Sequence, residues 1–119
     1  MGPDADPSAT IYHNPRCSKS RQALELLRER GVEPTVIKYL ETPPTVDELR
    51  TLIADAGLTV REAVRVKEAE FTELGLLEAS DEQLLKAMVA HPRLIERPFV
   101  VTAKGTRMGR PTETVEEIL

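Results

Sequence analysis

A single cysteine, Cys17, stands in the run His13, Asn14, Pro15, Arg16, Cys17, Ser18, Lys19, Ser20, Arg21. A thiol is a nucleophile only as its thiolate, the form that nearby cations and unpaired backbone N–H groups stabilise. Arg16, Lys19 and Arg21 put positive charge around the cysteine, and His13 lies just upstream. Surroundings of this kind lower a thiol pKa to roughly 3.5–7.5 from about 8.5, and the same groups bind an oxyanion. A lone cysteine is more often a small buried apolar residue. Here its neighbours are turn-forming and polar, which favours chemistry over packing. Ser20 takes the second place of what would be a Cys-x-x-Cys pair, so dithiol chemistry is excluded. With one cysteine in the chain, an internal disulfide and a multi-cysteine zinc site are excluded as well, and redox chemistry must recruit a thiol from another molecule. Ser18 and Ser20 suit helix capping, with hydrogen-bonding support to a thiolate as a further role for Ser20.

The flanking pattern explains how such a cysteine would be held. Thr10, Ile11 and Tyr12 favour a strand, and His13, Asn14 and Pro15 form a polar turn. Residues 20–30 carry Ala23, Leu24 and Leu27 at helical spacing, and Gly31 stands where a helix C-terminal glycine belongs. Cys17 therefore falls between a strand and a helix N-terminus, where the helix dipole favours negative charge. Residues 35–40 read as a second strand stopped by Pro43 and Pro44, giving a βαβ unit with parallel strands.

Three capping-box patterns follow: Thr45 with Glu48, Thr59 with Glu62, and Ser80 with Gln83. Each predicts a helix. The first carries Leu49, Leu52 and Ile53 and stops at Gly57; the third carries Leu84, Leu85 and Met88 and stops at His91 and Pro92. Residues 63–77 between them read as a short, less regular helical stretch. Residues 98–109 predict a β-hairpin with the three-residue turn Ala103, Lys104, Gly105, and a last helix begins at Pro111 with Val115, Ile118 and Leu119 as its apolar stripe. The order predicts an α/β fold of the thioredoxin-like kind, a four-stranded mixed sheet with flanking helices and a helical insert between βαβ and ββα.

The chain of 119 residues is the size of one domain, and no linker or repeat divides it. Residues 1–9, with Asp4, Asp6, Pro3 and Pro7, read as a disordered lead-in to a domain spanning 10–119, and not as a signal peptide. The net charge of −4 argues against a general nucleic-acid binder. No apolar run approaches the roughly 18–20 residues that span a bilayer, so no membrane association and a cytoplasmic location are expected. Two histidines, His13 and His91, are too few and too far apart to argue for a metal.

Three separated motifs now agree with one family. Ile11 to Cys17, then Tyr39, Leu40, Glu41, Thr42, Pro43, Pro44, then Arg97, Pro98 and Gly105 to Pro111 resemble the glutaredoxin-coupled arsenate reductases, over residues 10–119. The resemblance implies a thioredoxin-like fold and an enzyme of arsenic resistance that reduces arsenate to arsenite. It implies no tightly bound cofactor, with glutathione or another low-molecular-weight thiol as co-substrate and a glutaredoxin-like reductant as partner. By local motif it places the nucleophile on Cys17 and the oxyanion-binding arginines on Arg65, Arg97 and Arg110, with Arg61 a competitor for the first. His13 matches the family histidine near the thiol, and Pro98 the cis-proline beside it. Ser18 and Lys19 depart from the small pair usual after the cysteine, and the chain ends at Leu119 without the C-terminal extension that better-known members carry. Apart from the resemblance, an arginine's commoner fate is a solvated surface charge.

Two other functions fit a one-cysteine domain of this kind. One is a regulator similar to the Spx proteins, which bind RNA polymerase and sense redox state, generally with a cysteine pair that Ser20 removes here. The other is a thiol-exchange enzyme acting on mixed disulfides without arsenate.

Overall fold

A computed structural model describes residues 6–119. Strand β1 (Asp6–His13) leads into helix α1 (Ser18–Glu29) and strand β2 (Pro34–Lys38). Three helices, α2 (Val46–Asp55), α3 (Ala69–Glu73) and α4 (Asp81–Ala90), then precede strands β3 (Phe99–Thr102) and β4 (Gly105–Met108), and a 3-10 helix, Thr112–Ile118, ends the chain. The sheet order is β2-β1-β3-β4, with β1 parallel to β2 and antiparallel to β3, and β3 antiparallel to β4. This is the mixed sheet that the element order predicts.

Two compact units make up the chain: Met1–Thr42 with Arg97–Leu119, and Pro43–Glu96. The helical insert thus forms a unit of its own within what the sequence presents as one undivided domain. In the first unit the pleat turns Ala9, Ile11 and His13 inward. Ile11 and Val100 of the sheet pack with Ala23 and Leu27 of α1 and Val115 and Ile118 of the last helix. Burying a leucine of this kind contributes about 2 kcal/mol, which is why α1 keeps one apolar stripe. The helix ends at Gly31, whose φ of +77° only glycine adopts freely. There Gly31 N–H donates to Arg28 C=O and Val32 N–H to Leu27 C=O, a Schellman closure that turns the chain toward β2.

In the second unit Leu49, Leu52 and Ile53 of α2 and Leu84, Leu85 and Met88 of α4 are buried, together with Phe71, Leu76, Leu94 and Ile95. Both flanking helices open with the reciprocal capping bonds predicted at Thr45 and Ser80. The third box forms too, Thr59 N–H to Glu62 and Glu62 N–H to Thr59, but it opens only a 3-10 turn, Arg61–Ala63. Val64 is extended and pairs with Ile95 in an isolated bridge, and that pairing takes the backbone groups a helix would need. Residues 63–77 accordingly hold only the short α3 and the 3-10 turn Leu76–Glu78.

Other elements also differ from expectation. Residues 6–9 belong to β1 rather than to a disordered lead-in, while residues 1–5 lie outside the described part. Strand β2 stops at Lys38, so Tyr39 and Leu40 lie in the following turn. Thr102 pairs directly with Gly105, so the hairpin turns on two residues, Ala103 and Lys104. Pro111 is the N-cap of the last element, which winds as 3-10 throughout. Among the described residues no helix is long and apolar enough to cross a membrane.

Candidate active site

Cys17 is the N-cap of α1, with extended backbone at φ −95° and ψ 123°. Two backbone bonds fix it there: its N–H donates to Asn14 C=O at 3.0 Å, and its C=O accepts from Arg21 N–H at 3.0 Å. Asn14 Oδ1 accepts from Arg16 N–H at 3.0 Å, which closes the turn between β1 and α1. Asn14 is a positioning residue that the motif reading passes over, although an Asn-Pro pair is a turn signal in its own right.

The thiol is nearly buried, and burial pushes its pKa up. Four stabilising contributions outweigh that penalty: the Ser20 N–H, the positive charge of Arg97, the Lys19 N–H and a hydrogen bond from the Arg97 side chain. The net effect holds the Cys17 thiol below its ordinary value. Lys19 acts through its backbone, not its ammonium. Arg16 is exposed, and Arg21 donates to Pro15 C=O at 3.0 Å. The cation that reaches the sulfur comes instead from Arg97, itself buried and placed by the segment before β3.

Ser20 is fully buried, and its hydroxyl serves the loop. Ser20 Oγ accepts from Asn14 N–H at 3.0 Å and lies 2.6 Å from His13 Nδ1. His13 is buried at the end of β1. Burial first, then the charges of Arg28, Lys38 and Arg21, lower its pKa, so the imidazole is neutral at pH 7. It adds no positive charge beside the thiol; its contact is to Ser20.

Pro98 follows Arg97 through a cis bond, as the resemblance implies, and a second cis bond joins Arg110 to Pro111. Arg110 is exposed at the end of β4 in the same unit as Cys17. Arg65 belongs to the second unit, where it follows the Val64 bridge and does not lie on a helix. There its guanidinium pairs with Glu68 at 2.6 Å and Glu96 at 3.3 Å. Arg61, the competing candidate, is exposed and donates to Ala79 C=O at 2.5 Å. His91 lies in the second unit beside Glu70 at 3.1 Å. Among the described residues no group of three His, Cys, Asp or Glu side chains converges on a metal-sized site.

Chemically, the first unit presents a stabilised thiolate at a helix N-terminus with an always-protonated guanidinium against it, an arrangement fitted to nucleophilic attack on an anionic, oxygen-rich centre. Residues 12–118 match the ArsC family model. The chain is 59% identical over 112 residues to an arsenate reductase of Yersinia enterocolitica, covering 92% of this chain and 79% of that protein. It is 55% identical over 114 residues to an arsenate reductase of Rhizobium meliloti (strain 1021), covering 94% and 81%. Among solved structures, that of an arsenate reductase from Vibrio cholerae superposes with a TM-score of 0.90 at 52% identity, covering 98% of this chain and all of the other.

Proposed function

The chain belongs to the ArsC family, and from that premise we propose that it is an arsenate reductase in which Cys17 is the nucleophile and an external thiol supplies the electrons. The observation that carries this is the Cys17 thiol, held below its ordinary pKa by the Ser20 and Lys19 N–H groups and by Arg97.

Arsenate binds against the helix N-terminus and the planar forks of Arg97 and Arg110, which suit tetrahedral oxyanions. Arg65 is assigned to the same task on the resemblance alone. The Cys17 thiolate attacks arsenic, a sulfur–arsenic bond forms, and one arsenate oxygen leaves as water with protons from solvent. A thiolate of glutathione or a similar small thiol then attacks Cys17 Sγ. The sulfur–arsenic bond breaks with its electron pair left on arsenic, so arsenic(V) becomes arsenic(III) while two thiol sulfurs become a mixed disulfide. A second thiol, of a glutaredoxin-like protein, cleaves that disulfide and restores Cys17. The arginines act by charge and orientation throughout, because a guanidinium does not release its proton at working pH. Ser20 and His13 hold the loop that carries the nucleophile.

The test is arsenate-dependent NADPH oxidation with glutathione, glutathione reductase and glutaredoxin, run on the native chain and on Cys17→Ser. Turnover by the first and none by the second is expected. Reduction of a glutathionylated peptide by the native chain, with no response to arsenate, would overturn the assignment in favour of thiol exchange.

A further inference from the structure

Nothing in the reaction explains why position 109 is glycine. Gly109 is buried between β4 and Arg110, and its φ is not in the left-handed region, so backbone conformation does not demand glycine. Space does. A Cβ built there would stand 3.1 Å from Pro98 Cγ, 3.1 Å from Val115 Cγ2 and 3.4 Å from Pro98 Cδ. Carbon atoms in good contact are about 3.5–4.0 Å apart, so a methyl group requires a neighbour to move. Val115 is confined by Ile11, Ala23, Leu27, Val100 and Ile118. The Pro98 ring is closed onto its own backbone, so it moves only with the chain. The Gly109 N–H also donates to Pro98 C=O at 2.8 Å, tying the two segments together.

We propose that Gly109 is a positioning residue for Arg97: its bare Cα lets the chain lie against the Pro98 ring while its N–H holds the Pro98 carbonyl, and together these set where the Arg97 guanidinium stands beside Cys17. The proposal deepens the reading of Cys17 as nucleophile and rests on it. Arg97 reaches the thiol both as a charge and as a hydrogen-bond donor, and the donor contact weakens steeply with displacement.

The experiment is a double-mutant cycle read by the pH dependence of iodoacetamide alkylation at Cys17, the one cysteine in the chain. Gly109→Ala should raise the midpoint by about 0.5 in the native background and leave it unmoved in an Arg97→Met background. Val115→Ala alone should not shift the midpoint. Gly109→Ala with Val115→Ala, which opens room on one side of the new methyl, should return it toward the native value. Should Gly109→Ala not fold, the relieved pair is carried through both backgrounds instead, where the smaller rise left by the remaining 3.1 Å contact with Pro98 must appear with Arg97 and vanish without it, and its absence with Arg97 would overturn the proposal. A midpoint unchanged by Gly109→Ala in a folded protein, or shifted equally with and without Arg97, would overturn the proposal. Alkylation needs no arsenate, so absence of arsenate turnover defeats the functional reading and leaves this result standing.

Discussion

Replacing Ser20 with alanine removes one oxygen from a fully buried position. That oxygen is the partner of two groups at once, Asn14 N–H at 3.0 Å and His13 Nδ1 at 2.6 Å. A buried polar group left without its partner costs about 1–3 kcal/mol. Asn14 is half-buried and recovers part of its bond from water, so the two losses together come to about 2–4 kcal/mol. For a chain of this size that corresponds to a fall in Tm of about 8–16 °C. The thiol should respond quite differently, because the Ser20 group that reaches Cys17 is the backbone N–H, which alanine keeps. Thermal unfolding followed by circular dichroism measures the first effect, and alkylation rate against pH measures the second. The expected result is a large loss of Tm with an alkylation midpoint within about 0.3 of native. A midpoint raised as far as in an Arg97 variant would refute the reasoning, since the hydroxyl would then be a thiolate ligand and not a brace for the loop. A Tm within about 3 °C of native would refute the bond accounting.

Other expectations follow from the same geometry. Arg97→Lys keeps a charge but loses the fork, so kcat/KM for arsenate should fall about 10- to 100-fold, and an unchanged value would remove Arg97 from oxyanion binding. His13 has a lowered pKa in the fold, so the unfolded chain binds more protons; the stability it contributes is present above the unfolded value of about 6.5 and is lost as pH falls. His13→Asn, which keeps a side-chain group near Nδ1, should flatten that loss when urea unfolding at pH 7.5 and 5.5 is compared. Cys17 has the same sign: its contribution is complete above the unfolded thiol's pKa and declines as pH falls through the lowered folded value, and Cys17→Ser should abolish this dependence. Thr45→Ala removes the hydroxyl that accepts from Glu48 N–H, leaving the return bond from the residue-45 N–H to the Glu48 carboxylate, and should cost about 1 kcal/mol in urea unfolding without changing the alkylation midpoint.

Much of the fold is legible from local pattern because local pattern is where its forces act. Leu49, Leu52 and Ile53, and Leu84, Leu85 and Met88, fall at helical spacing after a capping box, and all six are buried. Thr59 with Glu62 is the instructive exception. Its reciprocal bonds form, yet no α-helix follows, because Val64 is taken by Ile95 from a distant segment. A cap satisfies the first N–H groups of a helix; it does not decide whether the next residues have a better partner elsewhere. The hairpin turn and the strand at residues 6–9 escape for a related reason, since pairing across strands sets both.

The site divides along the same line. Cys17 at a helix N-terminus is readable from its neighbours, but the source of its activation is not. The basic run Arg16, Lys19, Arg21 suggests that adjacent charges tune the thiol. In the folded chain those side chains point to other tasks or to solvent, and the same segment acts through two N–H groups whose direction α1 dictates. The decisive cation, Arg97, arrives from beyond the helical insert. His13 likewise sits close in sequence yet gives no charge, because burial and three surrounding cations keep it neutral. Nearness in sequence therefore identifies the nucleophile and supplies its two N–H donors, whereas the charge that completes its activation depends on how accurately the Arg97–Pro98 segment is delivered to it. That delivery passes through backbone packing at Gly109, a residue with no side chain to notice, and this is why thiol titration tests the site more directly than turnover does.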